Sequence, residues 1–430
     1  MTTSGTPDTN GLSARLSPHL ARREPASLRD HRAAFPPPPI ARREPLSELI
    51  EDVDAAGLRG RGGAAFPTAV KMRAVAGGRR RPVVVVNGSE GEPASQKDSV
   101  LMTLGPHLVL DGAELAAAAV GADEVIVSVD AASPHALRSI AAALRERWES
   151  DRAGVDIRIV GVPSGYVAGE ERSLVHLLNG GPAIPTSGPR PFVRGVRGRP
   201  TLIQNVETLG HLTLINAFGP TWFRAIGPHE MPGSMLVTVS GGVGSPGVFE
   251  IEVGTTLAKV ISGVGGVPQG VGGVLVGGYS GTWLGPEVAD TVALHPKGLA
   301  AVGGIVGAGV VVVIPEWACG WSETASVMRW LAGQTAGQCG PCVHGLAAIA
   351  GAAEQVVAGR GGDATLGRLA RWVDDVPGRG ACGLPDGAVR LLRSALEVFG
   401  ADVRAHLRGR RCAGSRWPRI LPVPRPGEAA

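Results

Sequence analysis

From position 45 onward, apolar and polar residues fall into three successive textures. The first alternates helix-period and strand-period segments. "PLSELIEDVDAAGL" reads as a helix opened by Pro45 and closed before Gly57. "RPVVVVNG" is a short buried strand, "LDGAELAAAAVG" a helix and "DEVIVSVD" a second strand. "SPHALRSIAAALRERW" is a helix with Ser133 in the N-cap position, and "DIRIVGVPSGY" is a third strand. Strands separated by helices predict a parallel sheet covered on both faces.

Around Ser234 the texture changes. "SMLVTVSGGV", "GVFEIEVGTTLAKVI" and "GGVLVGGYSGTW" read as short strands with Gly turns and one short helix, a small β-rich domain. From Ser322 the pattern turns helical. "SETASVMRWLAG", "HGLAAIAGAAEQVVAG", "ATLGRLARWVDDV" and "DGAVRLLRSALEVFGADVRAHL" predict four helices in a bundle. Residues 1–44 hold "FPPPPI" and scattered Arg without apolar period, and are expected to be a disordered or loosely attached arm. The run "GLAAVGGIVGAGVVVVIP" is shorter than the roughly 20 apolar residues of a spanning helix. It is broken by Gly and ends in four Val, so it predicts a turn and a buried strand.

Length and composition refine this picture. At 430 residues the chain is too long for one ordinary core, so two or three domains are expected. The 64 Gly point to many tight turns and close backbone approaches. The net charge of +4 comes almost entirely from Arg, since there are only four Lys. Tail residues such as Arg22, Arg23, Arg42, Arg43, Arg408, Arg410 and Arg411 make basic ends. No aromatic residues interleave with them, so a nucleic-acid surface is not expected. Five Cys do not make an even secreted framework, and the start of the chain does not read as a signal peptide. Metal or redox use in the cytoplasm is the expectation.

Four segments hold candidate chemistry. "GLRGRGGAAFPTAVKM" packs Gly around two Arg, and Gly60-x-Gly62-x-x-Ala65 satisfies the dinucleotide fingerprint. A helix rather than a strand precedes it, which excludes the ordinary Rossmann reading. Its backbone N–H groups could close on a phosphate or a flat ring with Lys71 supplying charge, or the Gly could simply form a structural turn. "VVVVNGSEGEPASQKD" sets Asn87, Glu90 and Glu92 after a buried strand, where open α/β sheets bind ligands. They could accept hydrogen bonds from ribityl or ribose hydroxyls, or form a solvated acidic loop. "GYVAGEERSLVHLL" opens a helix with Gly169-Glu170-Glu171, which could be a ligand loop or helix capping. "RPTLIQNVETLGHL" supplies Thr201, Asn205, Glu207 and Thr208 at a further helix start.

The order GRGGAAFPT…K, N-x-x-E-x-EP…KD, GY-x-x-GEE…L and PT…NVETL resembles the NADH-oxidising flavoprotein subunit of bacterial respiratory complex I. It is also similar to the diaphorase subunits of NAD-linked hydrogenases and formate dehydrogenases. The resemblance covers roughly residues 45–405. It implies an α/β fold class with an FMN-binding Rossmann-like domain over 45–232, a β-grasp domain over 233–315, an iron–sulfur-binding helical bundle over 316–407 and a basic tail over 408–430. By position, FMN is expected near Gly60, Arg61, Gly62, Lys71, Asn87, Glu90, Tyr166, Gly169, Glu170, Asn205 and Thr208. NADH is expected beside Phe66, Glu92, Glu171 and Phe192. The chemistry implied is orientation of two cofactors, with no protein nucleophile or acid–base pair. Ser89, Gln204 and Ala74 depart from the family pattern, each removing a nucleotide contact.

The same resemblance assigns a [4Fe–4S] cluster to the loop "TAGQCGPCVHG". Cys339, Cys342 and Cys382, forty residues after Cys342, match three ligands, and Ala336 stands where the fourth would be. The outcomes left open are a three-thiolate [4Fe–4S] site with one iron left to water, His344 or another side chain, a [3Fe–4S] cluster, or an empty loop. Cys319 is a candidate replacement, His344 reads as a surface residue and Cys412 as unrelated. The expected function is an FMN- and iron–sulfur-dependent NADH dehydrogenase, or diaphorase. It would pass electrons to a ferredoxin-like protein or neighbouring redox subunit, and any membrane association would come through partners. The alternative is a degenerate scaffold role in a redox complex.

Overall fold

The structure, a computed structural model, describes residues 15–16, 20, 24–35, 37, 47–150, 155–409 and 418–424. In the first part, helix α1 (Leu28–Ala34), α2 (Ser47–Ala56) and α3 (Thr68–Ala76) precede strand β1 (Val83–Gly88). Then come α4 (Lys97–Leu104), α5 (Pro106–Val120), β2 (Glu124–Asp130), α6 (Pro134–Ser150), β3 (Asp156–Val162), α7 (Glu171–Leu178), β4 (Thr201–Asn205) and α8 (Val206–Arg224). The four strands form one sheet in the order β3-β2-β1-β4, and every pair is parallel. The four Val of β1 and all seven residues of β2 are buried, as strands covered on both faces require.

The second part is a mixed five-stranded sheet. It comprises β5 (Ser234–Gly241), β6 (Gly247–Glu252), α9 (Leu257–Gly263), β7 (Val271–Val276), β8 (Thr282–Leu284), α10 (Pro286–Ala289), α11 (Pro296–Ala300) and β9 (Val310–Pro315). The strand order is β6-β5-β9-β7-β8, with β5 and β9 parallel and the other pairs antiparallel. The run ending in four Val becomes α11, a turn and the wholly buried β9. No helix among the described residues is long and apolar enough to cross a membrane.

The third part holds α12 (Gly320–Gly333), a π-helical turn (Pro341–Leu346), α13 (Ala347–Val357), α14 (Asp363–Asp375), α15 (Leu384–Val398) and α16 (Gly400–Leu407). The last apolar stretch, expected as one helix, divides in two at Phe399, whose φ of −104° and ψ of 26° leave the helical region. Phe399 is buried against Trp283, so packing between the bundle and the β-rich sheet bends the chain there.

The arm also differs from its expectation wherever it is described. Helix α1 buries His31, whose Nε2 lies 2.8 Å from Asp111 Oδ2. Leu16 is fully buried, and its N–H donates to Glu250. These side chains dock on existing apolar and charged surface, which outweighs the weak local pattern. In the tail, Leu421 is buried and the N–H groups of Ile420 and Leu421 donate to the Glu323 carboxylate. Arg22, Arg23, Arg42, Arg43, Arg410, Arg411 and Cys412 lie outside the described residues.

Candidate functional site

The carboxyl ends of β1, β3 and β4 open into one cleft of about 340 Å³. This is where an open α/β sheet places its ligands. Nine expected residues line it: Arg61, Gly62, Asn87, Glu90, Glu92, Tyr166, Gly169, Glu170 and Asn205. The opposite wall comes from the β-rich part, through Gly277, Ser280, Ile305, Gly307 and Ala308.

Backbone proximity shapes the cleft. Asn87 Nδ2 donates to the Gly169 carbonyl at 2.8 Å, clamping the loop after β1 to the loop after β3. A Cβ on Gly169 would sit 2.8 Å from the Ser89 carbonyl oxygen, so this approach requires glycine. Three of the lining carboxylate and amide groups also cap helices. Glu90 accepts from the N–H groups of Asp98 and Ser99 at the start of α4. Glu170 accepts from Arg172 and Ser173 as the N-cap of α7. Asn205 Oδ1 accepts from Glu207 N as the N-cap of α8. Ligand loop and capping therefore coincide in the same side chains.

Beneath the cleft lies a buried charge network. Lys97 Nζ donates to Asp98 Oδ1 at 2.6 Å and to Glu207 Oε2 at 2.8 Å. Burial opposes the lysine charge, but Asp98 and Glu207 outweigh it and raise its pKa. Burial also opposes ionisation of Glu207, which Lys97, His211 and Arg61 overcome, bringing it down to about 2. Arg61 donates to the Pro232 and Ser234 carbonyls; its Nε lies 3.8 Å from Glu207 Oε1, and neither Nε nor Nη1 has a hydrogen-bond partner among the described residues. Ser89 Oγ is likewise buried without one. Glu92 accepts from Tyr279 N at 2.7 Å and Ala94 N at 3.3 Å; burial first pushes its pKa up to about 7.

The remaining expected residues fall elsewhere. Gly60 lines a smaller void of about 10 Å³ beside the cleft. Thr208 Oγ1 accepts the Arg61 N–H, supporting the glycine loop from behind. Lys71 donates to the Ile203 carbonyl at 2.7 Å and to Glu171, tying β4 to α7. Phe66 is 53% exposed, and Phe192 packs on the core of the first sheet. Phe192 is therefore not an aromatic wall of the cleft. Lys97 is the largest omission from the sequence-based set. Its signal is slight: one of only four lysines, next to an acid, in the same loop as Glu90 and Glu92.

The cysteine loop adjoins this cleft. Tyr166 donates its backbone N–H to Gln334 Oε1 at 3.0 Å, one residue before Thr335. The Tyr166 hydroxyl donates to Ser280 Oγ at 2.6 Å, and its ring stands edge-on to Trp330. Cys342 is buried, and its pKa is pushed up to about 12, first by burial, then by the Cys339 and Cys382 thiols. Burial likewise raises the Cys382 pKa, with Cys339, Glu170 and Asp386 adding to it. Three thiols thus converge next to the residue that caps α7. Among the described residues, no three His, Cys, Asp or Glu side chains are arranged to grip one metal ion. A cuboidal cluster spaces its thiolates more widely, each on a different iron, and its charge would hold them deprotonated. Cys319 is not part of this group. It N-caps α12, with Sγ 3.3 Å from His406 Nε2, while the loop follows the far end of that helix, roughly 20 Å away by helical rise.

An α/β cleft at the strand ends, adjoining a helical bundle that brings three thiols near one another, is an arrangement a redox flavoprotein with an iron–sulfur module can use. Comparisons with known proteins agree. A family model described as "Nuo51 FMN-binding domain" matches residues 53–213, and one described as "NADH-ubiquinone oxidoreductase-F iron-sulfur binding region" matches residues 322–406. The second F-type NADH-quinone oxidoreductase subunit of Rhizobium meliloti is 34% identical over 379 residues, covering 85% of this chain and 90% of its own. NADP-reducing hydrogenase subunit HndC of Solidesulfovibrio fructosivorans is 29% identical, covering 85% of this chain and 77% of its own. A crystal structure of NAD+-reducing [NiFe]-hydrogenase in the H2-reduced state aligns with a TM-score of 0.81 at 31% identity, covering 91% of this chain and 67% of that one. The chain belongs to the family of F-type NADH-quinone oxidoreductase subunits. It is an NADH oxidoreductase flavoprotein that uses FMN and an iron–sulfur cluster to pass electrons onward.

Proposed function

We propose that the cleft holds FMN with NADH beside it, and that Cys339, Cys342 and Cys382 hold the cluster that drains the flavin. One observation carries this reading: the Tyr166–Gln334 hydrogen bond makes a wall of the cleft continuous with the segment bearing the thiols. The residues fit a ligand with a ring and a polar tail, whose hydroxyls the lining carboxylates Glu90, Glu92 and Glu170 can accept from. Arg61 Nη1 and Ser89 Oγ are buried without a hydrogen-bond partner among the described residues, while Lys97, held by Asp98 and Glu207, lines the floor.

When bound, FMN supplies the conversion of a hydride pair into single electrons. The chain's own residues orient and insulate. Asn87 and Gly169 fix the gap between the two strand-end loops. Asn205, pinned through Nδ2 to Asp98 Oδ2 at 2.6 Å, presents a fixed amide to the ligand. Glu92, capped by Tyr279 N–H, sets the polarity of the nucleotide side. No side chain is required to form a covalent bond.

The electron acceptor in this reading is a ferredoxin-like protein or a neighbouring redox subunit, and the setting is the cytoplasm. The test is native isolation followed by flavin and iron analysis and NADH–ferricyanide assay. A yellow protein with FMN, iron and activity is expected. A chain that takes up no FMN overturns the reading and leaves a scaffold role.

A further inference from the structure

The segment matched to the iron–sulfur binding region, residues 322–406, contains three cysteines, whereas a [4Fe–4S] cluster takes four cysteine ligands. The residues around the three thiols offer no ready substitute. Ala336 sits in a tight turn closed by Gly337 N–H on Thr335 Oγ1 at 3.1 Å, and its methyl carries no donor atom. Gln334 Oε1 already accepts from Tyr166. Glu170 is occupied in capping α7, and Asp386 Oδ1 accepts from Gly378 N at 2.8 Å. His344 and Gln338 are exposed, and Cys319 lies at the other end of α12.

We propose that the chain binds its cluster through three thiolates only, leaving one iron at the Ala336 corner with an exchangeable, non-protein ligand. This inference rests on the reading of Cys339, Cys342 and Cys382 as cluster ligands. A one-electron oxidant such as ferricyanide then converts [4Fe–4S]2+ into [3Fe–4S]+ with release of Fe2+, and the electron passes to the oxidant. A reductant and added Fe2+ reverse the step. The site is consequently an iron-labile corner whose occupancy follows the redox state and free iron.

The test uses the full chain, purified anaerobically, as wild type, Ala336→Cys and Cys412→Ser. Each is oxidised with ferricyanide, the released Fe2+ is captured by a chromogenic chelator, and EPR spectra are recorded. Wild type and Cys412→Ser are expected to release one iron per cluster and to develop the signal of an oxidised three-iron cluster. Ala336→Cys is expected to keep its iron and stay EPR-silent when oxidised. A wild type that keeps all its iron through oxidation overturns the proposal while leaving the three thiols as ligands. Release confined to Cys412→Ser overturns it in favour of Cys412 as fourth ligand. Absence of iron and sulfide from every variant overturns the thiol assignment itself.

Discussion

Lys97 sits 3% exposed beneath the cleft, held between Asp98 and Glu207. Replacing it by Met leaves buried Asp98 without its cation and Glu207 with only the Arg61 cation, 3.8 Å away, and losing one partner of such a pair costs about 3–5 kcal/mol. Lys97→Met is therefore expected to lower the denaturant midpoint and to abolish flavin retention, read from absorbance after gel filtration. Glu92 behaves differently. Its folded pKa of about 7 lies above its unfolded value of 4.5, so the folded chain holds a proton that the unfolded chain has lost between those values. Stability from this group is full below pH 4.5, falls as pH rises towards 7, and is flat beyond. Glu92→Gln should erase that slope, a difference on the order of 3 kcal/mol across the window. Equilibrium unfolding of both proteins at several pH values checks it; parallel curves would refute it. Asn87, Glu170 and Asn205 are legible in the sequence because they follow strand-period segments. Lys97 is not, because what marks it is burial among acids, one of them brought from a distant segment. The capping work of Glu90 is hidden for a similar reason: helix α4 has too weak an apolar period to announce itself.

At the scale of elements, the cleft depends on two loops held at contact distance. Gly169→Val places branched carbon where only 2.8 Å separates the Cβ position from the Ser89 carbonyl. Overpacking of this kind costs about 1–3 kcal/mol. The expected outcome is a folded protein with a modestly lowered melting temperature and sharply weakened FMN binding. Normal flavin affinity would show that the loops can separate without harm. The alternation of β1 and β2 with helices can be read from the sequence because central parallel strands bury both faces and are rich in Val and Ile, while the edge strand β3 is legible from its apolar–polar alternation. The break between α15 and α16 cannot, since Phe399 keeps the apolar period and the bend comes from its packing on Trp283.

At the scale of the whole molecule, the bundle meets the α/β part through Gln334 and Tyr166. Gln334→Ala removes one hydrogen bond, worth about 1 kcal/mol. NADH should still reduce the bound flavin at the wild-type rate, whereas reoxidation by a one-electron protein acceptor should slow. Stopped-flow spectroscopy separates the two phases, and equal reoxidation rates would remove Gln334 from the route. The three thiols and the strand-end acids are visible in the sequence because each lies in a compact motif. The contribution of Gly277, Ser280 and Gly307 is not, because their role arises only when the second sheet packs against the first.

That shared construction has a consequence for how the protein matures. Neither sheet encloses the cleft alone, so with the flavin held there as proposed, a nascent chain cannot capture it until residues beyond Gly307 have left the ribosome and docked. Prosthetic-group insertion is thereby made a late event, and the flavin itself becomes a rivet between lobes: cells starved of riboflavin should accumulate a form that proteases nick between the two sheets.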